Sequence, residues 1–247
     1  MGLLLLGLAF LSNACSHLVN RDKDREKSRI LLQRAIDQYT EKNFNGAIES
    51  AMEALKFDPN SASAQNQLAL IYLETKRYQK AEQAFLKALE IQADYPEVLN
   101  NLGVLFNRQD RYKEAIPYFE KALTYDQYLT PENPYTNLGY SYYKLGNLTR
   151  AKAYHQKALD ISPQFCLASK NMGDVYAKEK NYQKAADHFE RAATHCPLFQ
   201  ESQYKLGLVL MKMGKRHIAK TQLEKLVDRH KSGPYVERSH EVLKYLH

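Results

Sequence analysis

The sequence predicts an all-α protein: six helical hairpins stacked in series and closed by a C-terminal helix. Three series of residues predict it. Ala35, Ala69, Gly103, Gly139, Gly173 and Gly207 recur at spacings of 34, 34, 36, 34 and 34. Twelve residues after each stands an alanine: Ala47, Ala81, Ala115, Ala151, Ala185 and Ala219. Seven further on come Ala54, Ala88, Ala122, Ala158, Ala192 and then Leu226. Small side chains at fixed places let two helix axes cross closely, and a period of this length is that of a stacked helical-hairpin array. Large residues fill the gaps between them. Leu68, Leu102, Leu138, Met172 and Leu206 precede the first small position, and Tyr72, Phe106, Tyr142, Tyr176 and Leu210 follow it by three. Phe85, Phe119, Phe189 and Leu223 sit on the second helices.

Residues 1–14 come first and carry no ionisable side chain, with a nearly pure apolar run over 3–11. That run is shorter than the roughly 20 residues a membrane-spanning helix needs and has the length of a signal-peptide core. Ser12, Asn13 and Ala14 then lead into Cys15. An apolar run ending in a small residue before Cys resembles the lipobox of bacterial lipoproteins, in which the Cys is lipidated and becomes the new N-terminus. Ser12 stands where that pattern has Leu, and no Lys or Arg precedes the run. The other reading is an ordinary cleaved signal peptide with Cys15 free. With Ser16 next, the resemblance implies an outer-membrane address on the periplasmic face. Residues 15–27 alternate in charge sign from Arg21 to Lys27 and read as a polar tether.

The hairpins follow at about 28–61, 62–95, 96–131, 132–165, 166–199 and 200–233. Pro59, Pro163 and Pro197 mark ends of second helices. Period, residue size and residue order resemble the tetratricopeptide repeat. The resemblance implies a right-handed α-solenoid of six hairpins plus a capping helix over 234–247, with Val236, Leu243 and Leu246 covering the last repeat. Some positions depart from the pattern. Arg34 and Gln38 are polar in the first repeat, His155 replaces the aromatic of the fourth, and Pro117 forfeits one backbone bond inside a second helix. The two extra residues between the third and fourth repeats predict a longer loop near 128–133.

Cys166 and Cys196 stand at the first residue of the fifth repeat and near its end. In an antiparallel hairpin those two places lie at the same end. In an exported chain this predicts a disulfide; the alternative is two small buried thiols.

Charge and motifs narrow the function classes. The net charge is +7, but 35 basic residues are interleaved with 28 acidic ones, which reads as solvated helix faces and not as a nucleic-acid stripe. The eight histidines form no metal pattern, and His188, His195, His240 and His247 read as solvated. No HExxH, CxxC or phosphate-cradling Gly-rich loop occurs. The sequence therefore predicts no cofactor, no metal, no nucleic-acid partner and no catalysis.

In tetratricopeptide arrays the first helices line the groove. The sixth position of successive repeats reads Gln33, Gln67, Asn101, Asn137, Asn171 and Lys205. A carboxamide has both donor and acceptor and can grip a peptide group, so the row suits an extended segment. Other groove-facing positions are Leu32, Ile36, Tyr39, Leu70, Leu73 and Val104 in the first three repeats and Tyr140 and Tyr143 in the fourth. Lys170, Lys178 and Lys212 follow in the last two. The first half reads as apolar and adhesive, the second as cationic, and the groove of repeats one to four is the expected docking site.

A lipid-anchored stack of six such repeats resembles the type IV pilus secretin pilotins called PilF, PilW and Tgl, and the Cys166 and Cys196 pair resembles the Tgl branch. The resemblance implies binding to secretin subunits, help with their insertion and multimerisation, pilus-dependent motility, and a membrane hold through Cys15 alone. Other tetratricopeptide lipoproteins share this outline and dock peptidoglycan hydrolases or proteases.

Overall fold

The computed structural model describes residues 2–246, and side chains from residue 21 to 246. Cys15 therefore lies outside the described side chains. Thirteen α-helices and no strand make up the described residues: α1 Gly2–Thr40, α2 Phe44–Phe57, α3 Ala62–Glu74, α4 Tyr78–Ile91, α5 Pro96–Arg108, α6 Tyr112–Ala122, α7 Glu132–Lys144, α8 Leu148–Ile161, α9 Cys166–Lys178, α10 Tyr182–His195, α11 Gln200–Lys212, α12 Arg216–Arg229 and α13 Pro234–Leu243. They fall into two compact units, one reaching to Leu105 and the other beginning at Phe106. None of the described helices is long and apolar enough to cross a membrane. The stretch read as a polar tether differs from expectation, because residues 21–27 already belong to α1. Its alternating charges face water along a helix, as i,i+3 and i,i+4 neighbours.

Each hairpin turns on one residue in the left-handed region. Lys42, Lys76, Asp110, Gly146, Lys180 and Gly214 have φ of 62°, 58°, 59°, 81°, 59° and 76°. The next N–H then reaches back five residues, as from Asn43 to the Gln38 carbonyl at 2.8 Å and from Asn181 to the Tyr176 carbonyl at 2.9 Å. This is the Schellman closure, which satisfies the carbonyls a helix end leaves open. Only two of the six turns use glycine, so the motif was not visible from Gly spacing. Asn43, Asn147 and Asn181 then cap the second helices, each side-chain oxygen accepting a backbone N–H.

In the second unit the small and large series meet face to face. A Cβ added at Gly173 would lie 2.6 Å from the Phe189 ring, and one at Gly207 2.6 Å from Leu223. Phe119, Phe189 and Leu223 are buried, as is Phe85 in the first unit. Gly173→Val is expected to cost about 2–3 kcal/mol by forcing Phe189 out of its slot. Thermal unfolding by circular dichroism checks this, and an unchanged midpoint would mean that α9 and α10 do not approach so closely.

The extra residues after the third repeat are taken up in the connection between α6 and α7. α6 stops at Ala122, and residues 123–131 connect it to α7, with Tyr128 buried and Leu129 88% exposed. Pro117 sits inside α6 without ending it. At the C-terminus α13 packs on α11 and α12. Val236 is buried, Leu243 and Leu246 are half-buried, and the Tyr235 ring lies 5.6 Å from that of Tyr204. The fifth hairpin is closed by a disulfide between Cys166 and Cys196, whose Cα atoms are 6.2 Å apart.

His195 and His240 are exposed as the sequence suggests and His247 lies outside the described residues, but two other histidines are less solvated. His230 is buried beside Gln203, and His188 is half-buried with its ring stacked 5.4 Å from Tyr176. Both fill gaps between helices, where an imidazole behaves as a flat, mostly apolar ring.

Candidate binding faces of the first helices

The first helices α1, α3, α5, α7, α9 and α11 carry the expected binding positions, and each unit presents its own share. In the first unit Leu32, Ile36, Leu70 and Val104 are half-buried, leaving part of each side chain open. Leu73 is not part of that open face, and Tyr39 is half-buried like the others. Tyr39 packs into the core of the first hairpin with its ring 6.0 Å from Phe44, and Leu73 is only 4% exposed. Both stand in the last turn of their helix, where the chain folds back.

The five carboxamides do not share one environment, so the even row expected from their spacing is not what the fold builds. Gln33 is exposed and donates to Asp37 on its own helix at 2.9 Å. Asn101 donates to Asn66 at 3.2 Å and so ties α5 to α3. Asn137 is half-buried, and its backbone carbonyl accepts from Ser141 at 2.9 Å. Asn171 is buried. Gln67 is the informative one. It is 8% exposed, and its Nε2 has no hydrogen-bond partner. A buried donor left unpaired costs about 1–3 kcal/mol, and this one is covered by the protein and not presented to a ligand.

In the second unit the Ser141 hydroxyl also donates to Asn107 at 2.9 Å, a buried bond between α7 and α5. Tyr140 stands edge-on to Tyr112 with centroids 6.2 Å apart, and Lys144 lies 5.8 Å from the Tyr140 ring. Lys178 lies over Tyr143 at 4.8 Å. Desolvation pushes the Tyr143 hydroxyl up, and the Asp174 charge pushes it the same way. Both tyrosines are half-buried and hold a lysine at their rings.

The cationic character expected of the last two repeats is partly cancelled. Lys170 is buried and lies 3.5 Å from Asp174 and 3.4 Å from Glu201. Lys205 lies 2.7 Å from Asp174 and 2.8 Å from Glu201. Two ammonium groups and two carboxylates thus join α9 to α11. Burial pulls the Lys205 ammonium down, but Asp174 and Glu201 outweigh it and hold it above its ordinary value. Burial likewise raises the Glu201 carboxyl, and Lys205 and Lys170 reverse that to a net lowering. Removing one member would leave a partly desolvated charge unmatched.

Sequence reasoning missed Asn66, Asn107, Asp174 and Glu201. Asn66 and Glu201 stand on the same helix faces as the positions that were read. Asp174 follows Lys170 by four and Lys205 follows Glu201 by four, a spacing that signals pairing. Among the described residues no group of three or more His, Cys, Asp or Glu is placed to hold a metal ion.

Comparison with known proteins agrees with this architecture. A tetratricopeptide-repeat model matches residues 60–128, 94–164 and 130–197, and a second one matches residues 201–232. Among solved structures, PilW, a widely conserved type IV pilus biogenesis factor, superposes with a TM-score of 0.76 at 27% identity, covering 85% of this chain and 97% of that one. PilF of Pseudomonas aeruginosa superposes with a TM-score of 0.72 at 23% identity, covering 90% and 98%. Tetratricopeptide repeat protein 16 of Macaca fascicularis is 40% identical over 79 residues, which is 29% of this chain and only 9% of that protein's length. Together the repeated left-handed turn, the small-on-large packing at fixed register and the matched residues mean that this chain belongs to the tetratricopeptide-repeat family.

Proposed function

We propose that this protein is a lipid-anchored scaffold of the outer membrane that binds type IV pilus secretin subunits and promotes their multimerisation. That it is a protein-binding repeat scaffold follows from its family; the partner and the address are the proposal. The observation that carries it is the near full-length likeness to PilW, which covers 97% of that chain. The half-open apolar side chains of the first unit suit the alternate side chains of an extended polypeptide. Lipid on Cys15 would supply the membrane hold, since several acyl chains on one residue anchor firmly where one does not.

A deletion strain tests the reading. Loss of heat-resistant secretin multimers, with monomer still present, is the expected result. Normal multimers in the deletion would reject it. Mass spectrometry of the native protein tests the anchor, and an N-terminal peptide that still begins at Met1 would reject that part.

A further inference from the structure

The second unit carries a charged feature that the pilus reading does not use. Lys144, Lys178 and Lys212 are the last residues of α7, α9 and α11, 34 residues apart, and all three are exposed. A helix C-terminus favours a cation, which accounts for a lysine in each last turn. It does not account for one register on three successive first helices. The carboxylates on this face are already taken. Asp174 and Glu201 are matched by Lys170 and Lys205 at 2.7–3.5 Å. Lys178 rests instead on the Tyr143 ring at 4.8 Å, and Lys144 lies 5.5 Å from the Tyr112 ring and donates to its hydroxyl, which itself donates to Asp110. An ammonium has three N–H donors, so a ring contact or a single hydrogen bond leaves donors for an anion.

Beside Lys212 lies a pocket of about 610 Å³, with Phe189, Leu208 and Met211 among its walls and Lys205, Lys212 and Arg216 among its polar groups. That volume is within the range of ordinary ligand pockets and is ample for an apolar side chain.

We propose that this face is a docking track for an acidic, extended segment of a partner protein, with carboxylates on Lys144, Lys178 and Lys212 and one apolar side chain in the pocket. The inference rests on the scaffold reading and adds the chemistry of the bound segment. Adjacent packed helices lie roughly 8–10 Å apart. An extended chain advances roughly 3.3 Å per residue. The acidic residues therefore recur about every third position.

The test uses the full chain in detergent and a fluorescein-labelled twelve-residue Ser/Gly peptide with Glu at every third position and one Leu near its end. Binding is measured by fluorescence anisotropy at two salt concentrations. Binding that weakens at least tenfold when Glu is replaced by Lys, and again with rising salt, is expected. The protein variant Lys144→Glu/Lys178→Glu/Lys212→Glu should lose at least tenfold, whereas Lys113→Glu/Lys121→Glu/Lys225→Glu, on α6 and α12, should stay within about twofold. Equal binding of the Lys peptide, or of the first triple variant, overturns the track, and the peptide arm needs no variant to fold. Capture of phosphatidylglycerol vesicles through the same lysines, without capture of the peptide, also overturns it in favour of a membrane face. Secretin pull-down separates the two proposals. Wild type that captures secretin while the triple variant captures equally well rejects only the track. Wild type that captures none rejects the pilus reading, and the peptide result still decides the track.

Discussion

His155→Phe is expected to stabilise the protein by roughly 1–2 kcal/mol at pH 7.5, and by about 2 kcal/mol more at pH 5. The His155 ring is fully buried against α7, with neither Nδ1 nor Nε2 hydrogen-bonded. Gly139 makes room for it: a Cβ there would lie 2.4 Å from the ring. Phe85, Phe119 and Phe189 fill the same register in other repeats, so a phenyl ring fits and removes two unpaired polar atoms. Burial pulls the His155 pKa down from its ordinary 6.5 to about 3, helped by the charge of Lys170 and by His188. The folded protein therefore holds the ring neutral, while the unfolded chain takes up a proton below about pH 6.5. The sign follows. Stability is fullest above about pH 6.5 and is lost progressively as the pH falls towards 3. His188, lowered to about 4 first by burial and then by Arg191, acts in the same direction. Urea unfolding at the two pH values measures the effect. A gain that does not grow between pH 7.5 and pH 5 would show that His155 is not held neutral in the folded state.

Replacing both Cys166 and Cys196 by alanine is expected to cost about 3–4 kcal/mol, the entropy of leaving a loop of 30 residues open in the unfolded chain. For a chain of this size that lowers the midpoint of thermal unfolding by roughly 10 °C. In a repeat array each hairpin touches only its neighbours, so the loss should concentrate in α9 and α10. Hydrogen exchange should accelerate there more than in α3 and α4. A reductant should lower the wild-type midpoint and leave the double variant unmoved. A wild type indifferent to reductant would contradict the bridge.

Much of the fold could be read from spacing because its decisive contacts are short-range. Gly173 and Phe189, like Gly207 and Leu223, are 16 residues apart on the two helices of one hairpin. A period of 34 repeats such contacts, and residue size alone identifies them. The left-handed turns were less legible, since Lys42, Lys76, Asp110 and Lys180 take the conformation that glycine would advertise. Packing of the two helices outweighs the local cost of about 1–2 kcal/mol for such a residue.

The binding faces were legible only in part. Their positions follow from register, but what each side chain does depends on a neighbour about one repeat away. Asn101 meets Asn66, Ser141 meets Asn107, and Lys205 meets Asp174, across 35, 34 and 31 residues. No spacing within one helix discloses whether such a partner is present.

The sequence by itself determined an all-helical stack of hairpins and which helices carry the binding faces, because side-chain size at a fixed period dictates how one hairpin closes. Only the tertiary structure decided which polar groups on those faces are open, paired or buried unmatched. That choice is made between hairpins, where charge and hydrogen-bonding partners, and not size, set the outcome.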